Sequence, residues 1–289
     1  MYQAFDTKRK IYVALKRIKN SEHGSAGQES SGNCHEPTEK ETTGMPHYIL
    51  REISALLDLR GHTNIIELLD VFTMRDSKNV ILSFAYERGG DLCSIMTKNR
   101  QLQSKNRDPK KLNGLPEALV VKLSLHLLNG VKHIHKLSWV HRDLKPGNLM
   151  LSNLFNLAQL PNEQDVILKI GDFGLSKIQE IPHKPCTKEI MTLYYRAPEV
   201  ILNNLNYTNE IDLWSAGVII YEMLTGDYLF KANSEIEMLF KIFHLKGTPV
   251  RKPVSNGQPQ ISRYDHYPVL KDYGLKFPQM KKRSLLEHK

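Results

Sequence analysis

The sequence predicts an α+β chain in two parts: a small strand-bearing part over residues 1–87 and a larger, mostly helical part over 88–289. Three observations point there. Apolar residues alternate with period two in "IYVALK" (11–16), and "VILSFAY" (80–86) is rich in β-branched and aromatic residues, so both read as strands. The paired glycines of "ERGGDL" (87–92) then break the pattern, which marks a hinge between the two parts. Beyond it, Val120, Leu123, Leu127, Val131 and Ile134 recur at helical spacing behind Pro116, predicting a long helix that ends near His135.

Composition sets the outer limits. The chain has 289 residues, 40% hydrophobic and 25% charged, which fits an ordinary globular protein and no fibrous or disulfide-scaffold class. The one near-continuous apolar run, Ala216 to Leu224, is far short of the roughly 20 residues a membrane span needs, and "MYQAFDTKRK" lacks a signal peptide's apolar core, so an intracellular protein with no membrane partner is expected. Cys34, Cys93 and Cys186 are widely spaced and read as free thiols. The excess of 40 Lys+Arg over 31 Asp+Glu, a net +9, lies in scattered clusters without interleaved aromatics; it reads as a solvated basic surface, and no direct nucleic-acid binding is expected.

The remaining elements follow in order. Residues 20–44, "NSEHGSAGQESSGNCHEPTEKETTG", hold almost nothing apolar and read as a disordered insertion. Ile49, Ile53, Leu56 and Leu57 behind Pro46 predict a helix near 46–60. Lys16 on the first strand has two readings: a snorkelling edge lysine, or a cation placed to meet an anion. His133 and His135 lie two apart on their helix, about 200° apart around its axis, and cannot share a metal.

After the long helix come "HRDLKPGN" (141–148), "GDFG" (171–174) and "APE" (197–199). In this order and spacing they resemble the signature H-R-D-L-x-x-x-N, D-F-G and A-P-E of eukaryotic protein kinases. That resemblance implies a bilobal kinase fold, ATP and Mg²⁺ as cofactors, and a protein substrate. Phosphoryl transfer demands placement and charge neutralisation more than covalent chemistry, which suits the residue types. Asp143 would accept or orient the hydroxyl proton, Lys145 would reach the transferring phosphoryl group, and Thr192 would bridge those two side chains. Asn148 and Asp172 offer the hard oxygen donors that Mg²⁺ takes. "YVALK" resembles the V-A-I-K strand, so Lys16 becomes the phosphate-binding lysine and Glu52 its helix partner. Phe84 matches the gatekeeper, Ala85, Tyr86 and Glu87 would offer backbone bonds to adenine, and Leu151 would complete its pocket. Asp91 would meet ribose or cap a helix, two equal readings. His141 reads as a packed core histidine, and Asp212 as a structural anchor for the catalytic loop.

The resemblance narrows further. "PHYILRE" (46–52), "TLYYRAPEVIL" and "SEIEMLFKIFHLKGTP" (234–249) are similar to segments of cyclin-dependent kinases, over nearly the whole chain except the insertion and the tail after Pro249. This implies Ser/Thr specificity and a cyclin-like subunit on the Glu52 helix, with a nuclear or cytoplasmic setting. It places an activating phosphosite at Thr187, received by Arg51, Arg142 and Lys177, the last in place of the family's arginine and so without its planar fork. Arg196 would turn a carbonyl near Ile190 and Met191 away from the substrate, so a following N–H would find no acceptor; proline has no N–H, hence Ser/Thr-Pro sites.

Two family features are missing from the sequence. No G-x-G occurs in the chain, so the first strand with its glycine-rich loop is expected to be absent, as are the last helices of the second lobe with the arginine that would pair Glu199. Two functions follow: an active kinase that retains Lys16, Glu52, Asp143, Lys145, Asn148 and Asp172, or a non-catalytic kinase-fold binding module or fragment. Retention of the full polar set favours the first.

Overall fold

The computed structural model describes residues 1–18, 47–74, 79–104, 113–153, 166–179, 191–202, 207–248 and 280–284. The predicted insertion, Thr187 and Ile190 lie outside the described residues. The first part is a four-stranded antiparallel sheet in the order β1-β2-β4-β3, made by Tyr2–Asp6, Ile11–Ile18, Val80–Ala85 and Leu68–Thr73, numbered in chain order as β1, β2, β4 and β3. The central position of β2 fixes Lys16 opposite Leu82 of β4. On the outer pair, Phe5 and Tyr12 face each other and pack edge to face at 5.2 Å, a cross-strand aromatic contact. Helix α1 (His47–Asp58) buries Ile49, Ala55 and Leu56 in the apolar core that also holds Leu82 and Phe84 of β4, while Leu50 and Leu57 face outward. Glu52 lies on the buried face, which is what brings it to Lys16.

The chain then crosses through residues 86–90 to a short strand, β5 (Gly90–Asp91), and helix α2 (Leu92–Ser104). Here Gly89 donates to the carbonyl of Leu151 at 2.8 Å, and a Cβ at this position would stand 2.5 Å from the carbonyl oxygen of Asn153. Only glycine lets the backbones approach so closely. The Lys169 ammonium bonds Glu87 at 2.7 Å and ties the same connection to β8 (Leu168–Ile170).

Helix α3 (Glu117–Lys136) runs antiparallel to α5 (Glu210–Thr225): Leu115, just before α3, donates to Met223 at 2.7 Å, and His135 at the other end meets Asp212 at 2.9 Å. Helix α5 is apolar on nearly every side, as befits a buried helix, and Asp212 is its one fully buried acid in the first turn. Between these helices lie β6 (Trp139–Val140), β7 (Leu149–Leu151) and β9 (Lys177–Ile178); β7 joins β5 and β8, and β9 pairs with β6. The short α4 (Pro198–Ile201) and α6 (Glu235–Lys246) complete the described part. Among the described residues no helix is long and apolar enough to cross a membrane. Glu199, expected to stand alone, is not without a partner.

Candidate active site

Lys16 reaches from the centre of the sheet to two acids at once. Its ammonium donates to Glu52 Oε1 at 2.7 Å and to Asp172 Oδ1 at 2.8 Å. Burial works against the lysine's charge, but the two carboxylates outweigh it and hold Lys16 above the usual lysine range. The acids divide by environment, the Glu52 side chain being 3% exposed and that of Asp172 48%. Burial pushes Glu52 above the ordinary carboxylate range and Lys16 offsets only part of this. For Asp172, burial is overcome by Lys16, with His141 and Lys145 adding to it, and the carboxyl sits below that range.

The catalytic loop is assembled around Asp143. Its Oδ2 accepts from Lys145 at 2.6 Å and from Asn148 Nδ2 at 3.2 Å, and its Oδ1 from the Thr192 amide at 3.2 Å and hydroxyl at 3.4 Å. Thr192 thus reaches Asp143, and Asp143 itself, as the shared acceptor, links it to Lys145. Asn148 Nδ2 also donates to the Asp143 carbonyl at 2.8 Å, which commits the amide nitrogen; its oxygen can act only as an acceptor. The Gly171 amide bonds the Asn148 carbonyl at 2.9 Å, so the two loops carrying Asn148 and Asp172 are stitched together at those residues. A carboxylate and an amide oxygen on joined loops form a donor set that fits a hard divalent cation.

The backbone here is unusual. Arg142, Asp172 and Met191 have φ of 67°, 60° and 68°, the left-handed region that non-glycine residues occupy at a cost of about 1–2 kcal/mol each. Side-chain contacts hold the outer two. Asp212 accepts the amides of His141 at 2.9 Å and Arg142 at 3.0 Å as well as His135 Nε2. Arg196 Nη2 bonds the Met191 carbonyl at 2.8 Å. His141 is fully buried, bonds the Gly171 carbonyl at 3.0 Å and packs edge-on against Phe173 at 5.0 Å, a core histidine as expected.

The other expected positions divide. Phe84 is buried on β4 and Tyr86 is partly exposed on the crossing segment. Ala85 gives its N–H to the Glu67 carbonyl at 3.1 Å, so that donor serves the sheet and not a base. Glu87 turns its side chain to Lys169. Asp91 caps α2, accepting from the Ser94 amide at 2.8 Å and hydroxyl at 2.7 Å. Leu151 needs correction: it is 0% exposed and faces the core with Leu149, because alternate residues of a strand share a face. The open face of β7 carries the half-buried Met150. Of the three cations, Arg51 is exposed and Lys177 lies on β9. Arg142 is buried, giving Nε to the Leu175 carbonyl at 2.6 Å and Nη1 to the Tyr207 hydroxyl at 3.2 Å. Sequence reasoning did not find Tyr207, Lys169 or the ion pair that Arg196 makes with Glu235 on α6. Only the last left a local signal, since Glu235 opens the helix after the capping sequence Ser234 to Glu237.

A small antiparallel sheet, a helical second part and a lysine–acid–acid cluster facing an Asp/Lys/Asn loop define a phosphotransferase of the two-lobed kind. The family model described as protein kinase domain matches residues 1–264, and the chain belongs to that family. Membership carries ATP, a divalent metal, phosphoryl transfer and protein substrates in general terms.

Proposed function

We propose that the chain is a Ser/Thr protein kinase of the cyclin-dependent-kinase-like group, using MgATP and phosphorylating Ser/Thr-Pro sites. The observation that carries catalysis is the Lys16–Glu52–Asp172 cluster beside an Asp143 already bonded to Lys145, Asn148 and Thr192, since the lysine–glutamate pair and the metal-binding aspartate must both be placed for transfer. Asn148 and Asp172 would hold Mg²⁺, which neutralises phosphate charge when bound. Lys16 would hold the α and β phosphates, the backbone of Tyr86 and Glu87 and the side chain of Met150 would take adenine beside Phe84, and Asp91 would meet ribose. Asp143 would take the proton of the substrate hydroxyl, and Lys145 would meet charge developing on the transferred group. The Arg196 bond to the left-handed Met191 supports the proline preference. Thr187 with Arg51, Arg142 and Lys177 is the proposed phosphosite, and the outward Leu50 and Leu57 of α1 the proposed face for a cyclin-like subunit.

The test is paired. MgATP should raise the melting temperature of the wild-type chain and not of D172A, and labelled γ-phosphate should pass to Ser-Pro peptides with wild type and not with D143N. Stabilisation without transfer would replace catalysis by the binding-module reading; neither would sink both.

A further inference from the structure

The Arg196 guanidinium is held at two ends: Nη2 on the Met191 carbonyl at 2.8 Å and Nη1 on the Glu235 carboxylate. Its Nε is buried with no partner among the described residues, so those two anchors alone set the orientation of the planar group. Glu235 comes from the first turn of α6, which is itself locked. Ser234 accepts the Glu237 amide at 3.2 Å, Glu237 accepts the Asn233 amide at 2.8 Å, and Glu237 pairs with Lys241 at 2.9 Å. The turn is thereby rigid, and Arg196 is positioned from outside the segment that contains it.

We propose that Glu235 is a positioning residue for substrate choice, acting through Arg196 on the Met191 peptide; this rests on the Ser/Thr-Pro reading above. Met191 is a non-glycine residue at φ 68°, a conformation that persists only where a neighbour holds it. With Glu235 present, the fork stays aimed at the Met191 carbonyl and keeps it from the substrate. Without Glu235 the guanidinium can turn to solvent, the Met191 peptide relaxes, and its carbonyl becomes an acceptor for the N–H of the residue after the phosphoacceptor. Discrimination against non-proline residues then fades, because their N–H no longer lacks a partner.

The experiment reads binding, so it does not depend on turnover. Fluorescence anisotropy with a matched Ser-Pro and Ser-Ala peptide pair gives a Kd ratio for wild type, E235Q, E235D, R196K and the double variant E235Q/R196K. The expected result is a ratio favouring proline in wild type that falls by about tenfold in E235Q, the worth of roughly one hydrogen bond. E235D should restore part of it, and the double variant should lose no more than R196K alone, because the two residues act in series. An E235Q ratio equal to wild type, or losses that add in the double variant, would overturn the proposal. A wild-type ratio near one would overturn the Ser/Thr-Pro reading itself, a distinct outcome because it precedes any substitution.

Discussion

At the scale of single residues, one ammonium serves two acids whose protonation leans in opposite directions. Glu52 sits above its ordinary range, so its contribution to stability is complete below that range and is lost as pH rises through the raised value. Asp172 sits below its range, so its contribution is present above the ordinary value and lost as pH falls through the lowered one. Melting temperatures of E52Q and D172N against wild type from pH 3 to 8 should therefore diverge: E52Q should gain on wild type as pH rises from 4 to 7, and D172N should fall behind it. Parallel curves would mean that Lys16 treats the two carboxylates alike. The lysine's own raised value places its loss of contribution far above this window, so it does not blur the comparison.

At the scale of elements, the catalytic loop depends on a helix that touches no substrate. Asp212 gathers three donors, the amides of His141 and Arg142 and the ring of His135, from a site with no exposure. D212A would leave buried donors unpaired at about 1–3 kcal/mol each and release Arg142 from its left-handed backbone. A fall in melting temperature of several degrees with near-complete loss of transfer is expected by thermal melting and phosphotransfer assay, and D212N should retain part of both. This dependence shows what the sequence made legible. Strand β2, β4, α1 and α3 were readable because each carries a full apolar period, and Lys16, Glu52, Asp143, Asn148 and Asp172 because their spacing matches a motif. The two-residue strands β5, β6 and β9 carry no period to read. Leu151 was misplaced because a motif counts positions, while the face of β7 is decided by the pleat. The partners of Glu235 and Tyr207 are 39 and 65 residues away, and no local pattern encodes such a meeting: the capping sequence marks the helix that Glu235 opens but not the residue it meets.

At the scale of the molecule, the larger apolar cluster of the described residues runs through both parts of the chain, and a smaller second one includes Val140, Met191, Val200, Tyr207 and Ile211. Ile49 and Leu56 of α1, Leu82 of β4, Leu127 of α3, Phe173 and Met223 of α5 belong to one continuous cluster. Calorimetry should therefore show one cooperative transition with calorimetric and van't Hoff enthalpies in agreement; two resolved transitions would mean that the sheet and the helices melt apart. The Asp212 anchorage has a further consequence in time. Because the amides of His141 and Arg142 end on a carboxylate with no exposure, flanked by Val140 and Ile211 of the smaller cluster, their hydrogens should exchange with solvent only when that packing opens, so the start of the loop that carries Asp143 should stay closed for as long as the smaller cluster does.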